Sequence, residues 1–135
     1  MNKKGFTLIE LLAVIVILAI IALIVTPIVS NIIASARNSA NARSVEGHID
    51  NIEYAIISSA FNEGKDIGFM DGTVAKEKVG VGSTYSISVP SNDTIECDSY
   101  VIEAGIVKTA TNCTNPTSGW AKAYDYTATG GAVGK

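Results

Sequence analysis

Lys3-Lys4-Gly5-Phe6-Thr7-Leu8-Ile9-Glu10 leads straight into an apolar run from Leu11 to Val25. Two lysines, a glycine, a phenylalanine and one carboxylate stand at the mouth of a membrane-length segment. A secretory signal peptide also places basic residues before an apolar core, but it ends in a small-residue cleavage site after that core. Here the chain continues Thr26-Pro27-Ile28-Val29-Ser30-Asn31, with no such site. The small residue next to a plausible cut is Gly5, in front of the apolar run. Cutting there removes the lysines and leaves the apolar segment as the new N-terminus.

The carboxylate needs a reason. A charged side chain near the centre of a bilayer costs about 2.5–3.5 kcal/mol on insertion scales, and less near an interface. Lys3 and Lys4 are one to two turns from Glu10 and leave on cleavage, which supplies a new cation, the amine of Phe6, one turn from Glu10 at i, i+4. A helix end with one positive and one negative charge is matched by a staggered copy of itself. The competing reading is a Glu10 that snorkels to the headgroups of an uncleaved anchor. From Leu11 to Val29 the run is interrupted only by Thr26 and Pro27. Its roughly 20 residues span about 30 Å of hydrocarbon as a helix. With Lys3 and Lys4 before the run and Arg37 the first charge after it, the N-terminus stays cytoplasmic and the rest faces outwards.

Lys4-Gly5-Phe6-Thr7-Leu8-Ile9-Glu10-Leu11-Leu12 resembles the class III signal of prepilins in the type IV pilin and type II secretion pseudopilin superfamily. The resemblance covers roughly the first 30 residues. It implies cleavage by a prepilin peptidase between Gly5 and Phe6, N-methylation of Phe6, and a Glu10 that meets the amine of a neighbouring subunit during assembly. Pro27 falls where that family has a helix-bending proline. The resemblance further implies partners: copies of the chain in a helical filament, minor pilins, an inner-membrane assembly platform, and the membrane before assembly.

From Ser30 to about Asn62 the texture becomes amphipathic. Ile28, Ile32, Ser35 or Ala36, and Ala40 continue one face. Val45, Ile49, Ile52, Ile56 and Ala60 then repeat at helical spacing, with Glu46, Asp50, Asn51 and Glu53 turned away. Glu63-Gly64 marks a stop. A helix from Phe6 to about Asn62 is roughly 85 Å long. Pro27 removes one backbone hydrogen bond and bends it; Gly47 is a second soft point, costing about 1 kcal/mol relative to alanine.

After Gly64, glycines punctuate short β-type runs. Thr84–Val89 alternates, with Tyr85, Ile87 and Val89 on one face, and Pro90-Ser91-Asn92-Asp93 is a turn signal. Ser99–Ile102 and Ile106–Ala110 are two further strands, separated by a hairpin turn or bulge at Ala104-Gly105. Trp120–Thr127 is a fourth. The predicted architecture is therefore α+β: a long N-terminal helix, membrane-spanning in its first half and amphipathic in its second, packed on a small antiparallel sheet, as in the type IV pilin fold. The divisions are residues 1–5 (leader), 6–29 (transmembrane or filament-core helix), 30–64 (amphipathic stalk) and 65–135 (extracytoplasmic β-rich head).

Cys97 and Cys113 are the only cysteines. In an outward-facing domain an even count reads as a disulfide. Metal binding lacks C-x-x-C spacing and histidine partners, because the single His48 lies on the stalk. Asp93, Glu96 and Asp98 form an acidic cluster beside Cys97. Some pseudopilins bind calcium in their heads, so these three are the calcium candidates, although acidic loops are more commonly just solvated; no other cofactor is expected. Asn92-Asp93-Thr94 and Asn112-Cys113-Thr114 match a glycosylation sequon too short to carry weight. The tyrosines and Trp120 read as head core and sheet surface. No Ser/His/Asp set forms without a histidine in the head, and no glycine-rich phosphate loop joins a strand to a helix, so no enzyme is expected. Net charge is −3, falling to −5 in the side chains once Lys3 and Lys4 leave. A mildly acidic product argues against nucleic acid as the main partner.

Three functions fit these residues. One is a pilin that is first a single-pass cytoplasmic-membrane precursor and then a surface filament for adhesion, twitching or aggregation. The second is a pseudopilin of a type II secretion or DNA-uptake system. The third is an uncleaved, membrane-anchored binding domain.

Overall fold

The computed structural model describes Gly5 and residues 7–135. Within it the chain divides into two compact units, residues up to Arg37 and Asn38–Lys135. One α-helix, α1 (Leu8–Glu63, 56 residues), contributes to both. It starts at Thr7 and ends where Gly64 takes φ 64° and the Lys65 amide donates to the Ala60 carbonyl at 2.9 Å. That six-residue closure satisfies a carbonyl the helix would otherwise leave open.

In the first unit the apolar side chains of α1 are exposed, Leu8, Ile9, Leu11, Leu12 and the Val, Ile and Leu positions on to Ile33 alike. Water is a poor solvent for such a surface, at about 25 cal/mol per Å². The segment therefore calls for lipid or other chains. It is the one helix among the described residues long and apolar enough to cross a membrane.

The second unit has its own core. Val45, Ile49, Ile52, Ile56 and Ala60 are buried, as their spacing predicts, and His48 joins them. They pack on a five-stranded antiparallel sheet of order β1-β4-β5-β6-β7: β1 (Gly72–Ala75), β4 (Ser99–Glu103), β5 (Ile106–Cys113), β6 (Tyr124–Thr127) and β7 (Gly131–Gly134). Ile102, Val107, Ala110 and Tyr124 fill the inner face. Ala104-Gly105 is a two-residue hairpin turn, with both residues at positive φ (53° and 76°). That is the backbone a tight β4–β5 connection requires. Asp71 fixes it from outside by accepting the Ala104 and Gly105 amides at 3.0 and 3.2 Å.

Several expectations need correction. Only Ile87–Val89 of the Thr84–Val89 run is a strand (β3). It pairs in parallel with β2 (Val79–Val81), outside the main sheet. Ile87 and Val89 are buried, but Tyr85 is not on a strand: its ring folds over Gly80, where a Cβ would collide at 2.6 Å. Parallel neighbours normally need a crossover of a dozen or more residues; here five suffice because Gly82 turns back at φ 112°. In the Trp120–Thr127 run the strand begins at Tyr124, and Trp120 packs edge-on against Tyr124 from the preceding loop. Glu46 and Glu53 do not turn away from the sheet, and Asn51 faces the Pro90–Ile95 turn. Glu46 accepts the Ala132 amide at 3.4 Å, Glu53 accepts the Val107 amide at 3.0 Å, and Asn51 bonds to Asp93. Short polar reach from the edge of the helical stripe thus satisfies strand amides the ladder leaves open.

Candidate functional site

At the start of α1, Thr7 and Glu10 hold each other. The Thr7 amide donates to Glu10 Oε2 at 3.2 Å, and the Glu10 amide donates to Thr7 Oγ1 at 3.3 Å. This is a capping box: a threonine at the N-cap, a glutamate three residues on, and two otherwise open helix donors satisfied reciprocally. The carboxylate also sits on the positive end of the helix dipole. Glu10 is therefore partnered within its own chain, by a device readable in the sequence as Thr7-x-x-Glu10. Gly5 is exposed; Phe6, the other half of the predicted cleavage site, lies outside the described residues.

In the second unit the chain's one histidine is the centre of a buried network. His48 Nδ1 lies 2.7 Å from Asp93 Oδ2, and His48 Nε2 lies 2.7 Å from the Tyr100 hydroxyl. Asn51 Nδ2 donates to the same Asp93 oxygen at 2.9 Å, the Ile95 amide donates to Asp93 Oδ1 at 3.1 Å, and the Cys97 amide donates to the Tyr100 hydroxyl at 3.2 Å. The carboxylate only accepts, so Nδ1 carries a proton. With Cys97 already donating to it, the Tyr100 oxygen gives its own proton to Nε2, and every group is satisfied. The stalk histidine thus reaches a carboxylate of the head, but the third member of the set is a tyrosine and not a serine. The third member is a phenol, 1% exposed, whose ionisation burial pushes up, followed by the charges of Asp93 and Glu96. A phenol held protonated out of solvent fastens; it does not attack. Burial pushes the Asp93 carboxyl up, but the hydrogen bonds it accepts from His48, Asn51 and the Ile95 amide outweigh it, and the net direction is down.

This network joins the helix to the disulfide. Cys97 and Cys113 are bonded, and both are fully buried. Around them the acidic cluster comes apart. Asp93 serves His48, Asp98 Oδ2 accepts from Asn112 Nδ2 at 2.9 Å, and Glu96 faces Lys76 at 3.9 Å. Among the described residues no group of three or more His, Cys, Asp and Glu is placed to hold a metal ion. Nearer the helix, burial raises the Tyr126 phenol, helped by the carboxylates of Glu53, Asp50 and Glu46.

Among the described residues the N-terminal arrangement is an exposed glycine, a capped glutamate and an apolar helix whose side chains are exposed. Residues 1–26 match the prokaryotic N-terminal methylation motif. No curated protein and no solved structure matches the chain. The methylation motif is the class III signal of type IV pilins and pseudopilins, and it covers 26 of 135 residues. With the exposed apolar helix it fits a membrane-anchored precursor of pilin or pseudopilin type. Within the motif's span Thr26 Oγ1 donates to the Ala22 carbonyl at 2.6 Å, and just beyond it Ser30 Oγ donates to the Thr26 carbonyl at 3.0 Å, so hydroxyls flank Pro27 on both sides. The helix runs through that proline unbroken. Bonds of this kind to the preceding turn soften a helix and favour bending.

Proposed function

We propose that the chain is a structural subunit of a type IV pilus, cut between Gly5 and Phe6 by a prepilin peptidase, N-methylated at Phe6, and polymerised through α1 into a surface filament. The observation that carries this reading is the methylation motif placed on a helix whose apolar surface is exposed. Insertion of the precursor parks that surface in lipid, and assembly transfers it to neighbouring copies.

Glu10 has a defined part in the transfer. In the precursor the capping box satisfies its carboxylate, which lowers the cost of holding it at the membrane edge. Cleavage then places the Phe6 amine beside the capping threonine. An ammonium–carboxylate contact in a low-dielectric filament core is far stronger than in water, so a neighbour's amine competes with the helix's own amides. Pro27, flanked by two hydroxyl bonds, supplies the bend with which neighbouring helices adapt to one another. The partners are the peptidase, further copies of the chain, minor pilins and an inner-membrane platform. A role as a pseudopilin in secretion or DNA uptake uses the same N-terminal residues; the small disulfide-bonded β head leans to the pilin.

The test is Glu10→Ala. Membrane insertion and leader removal continue, while filaments are lost or grow slowly. Normal filaments from this variant overturn the charge-pairing account.

A further inference from the structure

Gly47 sits inside a helix that packing requires to be continuous, in a chain where alanine would serve the helix better. A Cβ built on it meets nothing within 4 Å. The space above it is part of an open cavity of about 320 Å³ between α1 and the Pro90–Ile95 turn, whose walls include Ser44, Asn51, Asn92, Thr94 and Asn115.

The lining says what it would accept. It holds no lysine or arginine, and its acidic member is Asp93, so an anion is disfavoured. That carboxylate already accepts from His48, Asn51 and the Ile95 amide, which leaves it poorly placed to ligate a cation. Its one aliphatic side chain, Ile95, is itself buried, so a lipid tail finds little surface. Neutral amides and hydroxyls remain. Two of the amides are fixed in direction by what they already bond. Asn51 Nδ2 donates to Asp93, which leaves the amide oxygen of Asn51 as an acceptor. Asn115 Oδ1 accepts the Thr117 and Ser118 amides at 3.1 and 3.0 Å, which presents its Nδ2 as a donor. Ser44 Oγ donates to the Ala40 carbonyl, keeping its lone pairs free to accept. Oriented donors and acceptors around a shaped space are the chemistry of a polyhydroxylated ligand.

We propose that this cavity binds one pyranose ring of a neutral saccharide, with Gly47 as its floor and Asn51 and Asn115 bonding adjacent hydroxyls. The site lies wholly within the second unit and does not depend on polymerisation.

The experiment uses the full chain in a sugar-free zwitterionic detergent, with the methyl glycosides of glucose, galactose, mannose and N-acetylglucosamine as neutral probes and glucuronate as the acidic one. Saturation-transfer NMR reports binding, and the side-chain amide resonances of Asn51 and Asn115 report where. At least one neutral probe binds and shifts both amides. Gly47→Ala, which strengthens the helix while placing a methyl in the cavity, weakens that binding by roughly tenfold or more, as does Asn115→Asp, which keeps the turn's acceptor and removes the donor. Absence of binding by every neutral probe, preference for glucuronate, or unchanged affinity in Gly47→Ala overturns the proposal.

Discussion

Tyr100→Phe tests the buried fastening of the helix to the sheet. The substitution keeps the ring, so packing against the core is retained, and it removes one oxygen. That oxygen lies 2.7 Å from His48 Nε2 and accepts the Cys97 amide at 3.2 Å. His48 is 2% exposed and Cys97 is fully buried, so water does not replace it. Leaving a buried polar group without a partner costs about 1–3 kcal/mol. Two such groups give a loss of roughly 2–6 kcal/mol, a large share of the about 5–15 kcal/mol that holds a typical domain. The assay is urea unfolding of the full chain in detergent micelles, followed by the fluorescence of Trp120, which lies edge-on to Tyr124 at 5.4 Å. The midpoint falls while the slope stays constant, as for a change in stability alone. In the Tyr100→Phe background, His48→Ala then costs less than it does alone, because the shared bond is already gone. A loss under about 0.5 kcal/mol, the level of an ordinary surface substitution, refutes the reasoning.

Replacing both Cys97 and Cys113 with serine opens a loop with a sequence separation of 16, and the same unfolding assay shows a loss of about 3 kcal/mol. The acid limb of stability depends on Asp93. Its folded pKa lies below the ordinary 3.8. A carboxyl shifted that way adds stability above its unfolded pKa and loses it as pH falls through the folded value. Wild-type midpoints therefore drop below about pH 4, and Asp93→Asn, though less stable at neutral pH, shows a flatter acid limb. An equally steep limb in Asp93→Asn assigns the acid sensitivity to other carboxylates.

The parts of the fold legible in the sequence are those written locally. Val45, Ile49, Ile52, Ile56 and Ala60 repeat at helical spacing, and all five are buried. Gly64 stops the helix within one residue of the place expected, and Ala104-Gly105 turns the hairpin. Other strands carried too little signal. Val79–Val81 and Gly131–Gly134 are three and four residues long and rich in glycine. Alternation over Thr84–Val89 exaggerates a strand because Tyr85 keeps the period from a loop position, with its ring laid over Gly80 of β2. The His48 network is illegible for a different reason: its partners are 45 and 52 residues away, and no local pattern brings them together. At the N-terminus the motif is plain, and Thr7, three residues before Glu10, lies within the signal and caps the helix. The same residue serves both.

Intact-mass and N-terminal peptide mass spectrometry on protein sheared from the cell surface tests the central claim most directly. The account predicts abundant chain beginning at N-methylated Phe6, with Cys97 joined to Cys113. Chain that keeps Met1 and stays in the membrane fraction contradicts it and leaves an anchored binding domain in place of a pilin.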